Sequence, residues 1–127
     1  GTKRTCPQTG ERFYDLGIYP DWWKLEPFAS DAAWTNACAA IAANDPHVRG
    51  IVVLGLDASE EALTASLALA ARHDLVKGFA IGRTIFGDAA RAWLKDEISD
   101  EAAVTMMSDR YARLAALWDK ARGGGKK

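Results

Sequence analysis

Thiols are scarce in this 127-residue chain: Cys6 and Cys38 lie far apart with no CxxC spacing. Neither a zinc ribbon nor a disulfide framework is therefore indicated. Histidine is equally scarce, and His47 and His73 are expected in loops at opposite ends of different elements, solvated and not a metal pair. The net charge is only −1, which removes the electrostatic case for nucleic acid or an anionic membrane as partner. No apolar run approaches the roughly 20 residues that span a bilayer. The opening residues also lack the charged-then-apolar layout of a secretory signal, so a reducing cytoplasm is the expectation. What is present is an ordinary globular composition, 49% apolar and 26% charged, of a length that fits one domain. Five tryptophans supply large blocks of area for burial.

Residues 1–11 are polar and contain Pro7 and Gly10, and read as an arm outside the core. The stretch Asp21-Trp22-Trp23-Lys24-Leu25-Glu26-Pro27 has strand character, with Trp22, Lys24 and Glu26 on one face and Trp23 and Leu25 on the other. Ser30 is a good N-cap for a helix to about Asn44, whose buried stripe is Trp34, Ala37, Cys38 and Ile41. Cys38 then reads as an inert small apolar residue. Asn44-Asp45-Pro46 stops that helix. The β-branched run Ile51-Val52-Val53-Leu54 reads as a strand covered on both faces. Asp57 with Glu60 marks the next helix start, which carries Leu63, Leu67 and Ala70 inward and ends near Arg72-His73. Phe79-Ala80-Ile81 is the third strand, with a helix from about Asp88. A last helix over about 100–122 repeats Val104, Met107, Tyr111, Leu114 and Trp118 as a stripe packed over the sheet, the pair Met106-Met107 is read as core, and residues 123–127 form a flexible tail. Strand starts recur every 27 to 29 residues (about one βαβ unit), and continuous apolar strands between helices predict a parallel sheet, hence an α/β fold.

Ligands of parallel α/β folds bind at the carboxyl ends of the strands. Three loops therefore carry the candidates: Glu26-Pro27-Phe28, Gly55-Leu56-Asp57-Ala58, and Gly82-Arg83-Thr84-Ile85-Phe86-Gly87. In the third, glycines let backbone N–H groups approach an anion, the following helix start adds partial positive charge, and Arg83 adds a bidentate donor. The same residues also suit a tight strand-to-helix turn. Lys24 has two fates: an ion pair with Glu26, or an amine nucleophile freed of its proton by desolvation or by the charge of Arg83. Asp57 stands where acid–base residues are often found, and is equally a helix cap, the reading its spacing to Glu60 favours.

Four segments carry a resemblance: Arg12-Phe13-Tyr14 through Leu16-Gly17-Ile18; Pro20-Asp21-Trp22-Trp23-Lys24-Leu25-Glu26-Pro27; Gly50-Ile51-Val52-Val53-Leu54-Gly55-Leu56; and Gly78-Phe79-Ala80-Ile81-Gly82-Arg83-Thr84-Ile85-Phe86. Over residues 12–122 the chain resembles the C-terminal aldolase-like domain of bacterial inositol-catabolism proteins, which lies behind a ribokinase-type 5-dehydro-2-deoxygluconokinase. That domain is similar to class I aldolases of the tagatose-bisphosphate type. The resemblance implies a TIM barrel of about 250 residues and eight strands, of which the three strands here would be the last part. It implies Lys24 as the Schiff-base lysine of a Lys-hydrophobic-Glu strand ending in Glu26, and Gly82 and Arg83 as phosphate holders beside Thr84, with Gly55 and Asp57 standing where related enzymes carry a serine-bearing loop. The implied reaction cleaves 5-dehydro-2-deoxygluconate 6-phosphate to dihydroxyacetone phosphate and malonate semialdehyde, without metal or organic cofactor. The acid–base carboxylate of an earlier strand and the upstream kinase domain have no counterpart in these residues. Lys3-Arg4-Thr5-Cys6-Pro7-Gln8-Thr9-Gly10 followed by Arg12-Phe13-Tyr14-Asp15-Leu16 resembles the opening of an unrelated family of small acidic bacterial proteins, which implies a junction within residues 1–16.

Three parallel strands leave two edges open, and open edges invite pairing. Self-association is therefore expected, including pairing of partial barrels. A non-catalytic α/β module that keeps the phosphate loop and folds by association is the alternative to the aldolase.

Overall fold

Burial along the first strand alternates as the indole–lysine pattern requires. In the computed structural model, which describes residues 6–123, β1 runs Trp22–Leu25 with Trp23 buried and Trp22 and Lys24 exposed. It pairs in parallel with β2 (Gly50–Leu54), Lys24 opposite Val52. β2 pairs in parallel with β3 (Val76–Ala80), with a register shift that leaves Lys77 unmatched between Val76 and Gly78. The result is an α/β fold on an open three-stranded parallel sheet of order β1-β2-β3.

The helices are α1 (Cys6–Asp15), α2 (Asp31–Asn44), α3 (Glu60–Ala70), α4 (Arg83–Leu94) and α5 (Asp100–Ala121). They cover one face of the sheet. Trp23, Ile51, Val53 and Val76 from the strands join Trp34, Ile41, Leu63, Leu67, Leu114 and Trp118 from the helices in one core. Three helix starts have a local cause: Ser30, Ser59 and Ser99 each accept the amide of the residue three positions on, a cap worth about 1 kcal/mol. The stripe Trp34, Ala37 and Ile41 is buried as expected, with Cys38 half-buried beside it. Burial also raises the Cys38 thiol pKa, in keeping with an inert residue.

Five expectations need correction. The arm is helical from Cys6, because Tyr14 and Phe13 pack edge-on against Trp23 and the Trp23 indole N–H donates to the Tyr14 hydroxyl at 3.0 Å. Pro7 is tolerated in the first turn, where its missing N–H has no helical acceptor anyway. Residues 1–5 and 124–127, with the tail beyond Gly123 and the start of the expected junction, lie outside the described residues. β2 is covered on one face only: Ile51 and Val53 are buried, while Val52 and Leu54 are half-buried on the open face. The stripe on α5 splits, since Leu114 and Trp118 are buried but Val104 and Tyr111 are exposed. Both Met106 and Met107 are only half-buried. His73 is not solvated; it stacks on Trp34 and its Nε2 lies 3.0 Å from Asp31 Oδ1.

Candidate functional site

The open face meets solvent at the carboxyl ends of the strands, and there the chain forms a depression of about 350 Å³. Lys24 reaches it from β1, Gly55 and Asp57 from the turn after β2, and Gly82, Arg83 and Thr84 from the start of α4. Six residues singled out by sequence thus meet in one place. Glu26 is exposed one residue beyond β1 and does not line the depression. Among the described residues neither Lys24 nor Glu26 enters an ion pair, so the Lys24–Glu26 pair is not formed.

Local geometry changes two roles. The helix expected from Asp88 starts at Arg83 instead, with Gly82 as its N-cap and no side chain capping it. What read as a loop is the first turn of α4: the amides of Ile85 and Phe86 both bond to the carbonyl of Gly82. The earlier amides of that turn have no acceptor within the helix. A Cβ at Gly82 would stand 3.1 Å from the Phe86 ring, so the glycine is needed for that ring to fold back. Asp57 is not the cap of α3, because Ser59 takes that place. Leu56 and Asp57 instead hold positive φ, 52° and 62°. That is a costly conformation for residues other than glycine. This strained turn leaves the Asp57 carboxylate exposed, with Oδ2 3.9 Å from Arg83 Nη1. Gly55 is fixed by packing: a Cβ there would meet Ile81 at 3.0 Å.

A second recess of about 420 Å³ shares Asp57, Arg83 and Thr84 and continues to Asp88, Arg91 and Arg110. Arg110, from α5, was not legible as a site residue, since nothing in its own segment marks it. Its guanidinium donates to the Thr84 carbonyl at 3.2 Å and to Asp88 at 2.8 Å. Thr84 donates its hydroxyl to the Ala58 carbonyl at 2.9 Å, which locks the start of α4 onto the turn after β2. The hydrogen bond from Arg110, then that from Arg91, holds the Asp88 carboxyl below its usual range. Arg113 does the same for Glu60. Both carboxylates therefore stabilise the fold fully above about pH 4 and lose that contribution as pH falls through their depressed values. Acid is expected to loosen α5 from α3 and α4. Arg113→Ala should flatten the acid limb of melting temperature against pH, and an unaltered limb would reject the assignment.

Among the described residues no group of three His, Cys, Asp or Glu side chains could hold a metal, and no helix is long and apolar enough to cross a membrane. The arrangement supplies one amine, one guanidinium, one carboxylate and a helix N-terminus around a water-accessible depression. Such a set can hold an anion and react with a carbonyl. A search of curated proteins finds no match to the chain. Residues 2–122, from the α1 segment through the three βα units, match a family described as uncharacterized protein conserved in bacteria (DUF2090), and the chain belongs to that family.

Proposed function

We propose that this chain carries the Schiff-base site of an aldolase, acting on a phosphorylated keto-acid of the type 5-dehydro-2-deoxygluconate 6-phosphate. One observation carries the reading: Lys24, without a carboxylate partner among the described residues, shares its depression with Arg83 and the uncapped start of α4. An amine on β1 and an anion holder after β3, facing one depression across β2, are what a ketone bearing a terminal phosphate needs. Consecutive parallel βα units with every helix on one face are also the pattern of a closed βα barrel, and we take the three strands as part of one.

In the proposed reaction Lys24 adds to the ketone carbon and water leaves, forming an iminium. Asp57 removes the proton of the hydroxyl two carbons from the iminium carbon, and that oxygen becomes the carbonyl of malonate semialdehyde. The carbon–carbon bond electrons pass into the iminium, leaving an enamine. Protonation and hydrolysis of the enamine release dihydroxyacetone phosphate and restore the amine. Arg83 and the first-turn amides of α4 hold the phosphate throughout. The strain stored in the Leu56-Asp57 turn supports this role for Asp57, since Ser59 already caps α3.

The test is incubation with dihydroxyacetone phosphate and borohydride, which should add the mass of one reduced adduct at Lys24. Absence of an adduct would leave the second reading, a phosphate-binding module without catalysis, which the exposure of Lys24 favours because a lysine is activated by desolvation. Arg83→Ala should weaken binding of the phosphate ester by about tenfold or more, the worth of a charge-assisted hydrogen bond. Unchanged affinity in that variant would reject the anion holder in both readings.

A further inference from the structure

Large apolar side chains left exposed are not spread evenly over this chain. Phe13, Leu16, Ile18, Tyr19 and Trp22 lie on α1, the turn after it and β1. Phe86, Trp93, Leu94, Val104 and Tyr111 lie on α4 and α5, the helices that follow β3. Among the described residues one other exposed large hydrophobic, Leu56, stands on the site turn between them, and α2 and α3 carry none. The apolar surface is thus confined to the two ends of the sheet's layer and to the site.

Among the described residues each end also carries an unpaired strand edge, β1 at one and β3 at the other. All strands run parallel, so the free edge of β3 is matched by a β1 edge arriving in the same direction. Parallel sheets are normally covered on both faces, yet here Trp22 and Lys24 stand exposed on the open one. At the β3 end, Phe86, Ala90, Trp93, Ala103, Val104 and Met107 line a groove of about 440 Å³ between α4 and α5. Lys77 does not mark the free edge of β3, since its stem leans over Gly50 of β2 beside the Trp22 ring.

We infer that copies of this chain join head to tail, the β3 edge and α4–α5 groove of one against the β1 edge and α1 turn of the next, closing into a ring. This contact is heterologous, joining two different surfaces, and it avoids an open filament by closing on itself. The ring turns the open faces inward, so that a second copy covers Lys24 and excludes water from its depression. The consequence for Lys24 rests on the Schiff-base reading above; the association does not.

Sedimentation of the wild-type chain across the micromolar range, with no substrate present, tests it. A discrete oligomer is expected. Trp22→Glu at one end and Trp93→Glu at the other should each yield monomer with an unchanged circular dichroism spectrum. A mixture of the two variants should recover a one-to-one complex, because one intact junction remains. A monomeric wild type, dissociation by one of the two variants alone, or no recovery on mixing would overturn the ring. Should either glutamate variant lose its fold, Leu16→Glu and Val104→Glu, at more exposed positions of the same two ends, decide instead: each should yield monomer, and an oligomer that persists in either counts against the ring. Loss of borohydride trapping in a chain that still assembles would sink the chemistry and leave the ring standing.

Discussion

Lys24→Ala is expected to abolish borohydride trapping while leaving the fold as stable as before. The two halves of that expectation have separate causes. Among the described residues the amine is the only primary amine lining the depression beside Arg83, so its removal takes away the group there that can form an iminium. The fold is spared because Lys24 is exposed and makes no ion pair among the described residues. What remains is the difference in strand preference between lysine and alanine, under about 1 kcal/mol. Lys24→Arg sharpens the test, since it keeps the positive charge next to the phosphate site but supplies no nucleophile. Phosphate-ester binding should survive in Lys24→Arg and covalent capture should not. Trapping that persists in either variant, at Lys77 for instance, would end the case for Lys24.

The largest effect on stability is expected at Trp34. Its side chain is fully buried, with the Phe28 ring edge-on at 4.6 Å and the His73 ring stacked at 6.1 Å. Removing a buried tryptophan typically costs about 3–5 kcal/mol, against a total stability of about 5–15 kcal/mol for a domain. Trp34→Ala should therefore be largely unfolded under mild urea, and an unshifted midpoint would contradict the burial described here. Trp34→Phe should lose much less. The indole N–H of Trp34 finds no hydrogen-bond partner among the described residues, and an unsatisfied buried donor costs about 1–3 kcal/mol. Phenylalanine removes that donor along with the ring volume, so the two changes oppose each other.

How legible these features were depends on the distance over which their causes act. Ser30 and the stripe of Trp34, Ala37 and Ile41 needed only helix periodicity and a cap, both local. Lys24, Gly82 and Arg83 could be placed at strand ends because parallel order follows from the alternation of elements. Asp57 does not cap α3 for a competing local reason: Ser59 is two residues nearer the helix and takes that place. The start of α4 is hidden locally because Gly82 and Gly87 suggest a loop, whereas the Phe86 ring folds against Gly82 and the helix runs on from Arg83. Arg110 was beyond reach, because its partners Thr84 and Asp88 lie on another helix.

The sequence by itself determined the α/β order, the alternation that turns Lys24 away from the buried Trp23, and the residues gathered at the strand ends. These follow from periods of two and of three to four residues and from the short range of caps and turns. Only the tertiary structure decided that α1 is a helix docked on Trp23, that His73 is held by Asp31, and that the α5 stripe is buried in its second half alone. It also decided that the face bearing Lys24 is left uncovered. Those outcomes turn on which surfaces meet across many residues of chain, and burial against a distant partner carries no mark in the local pattern.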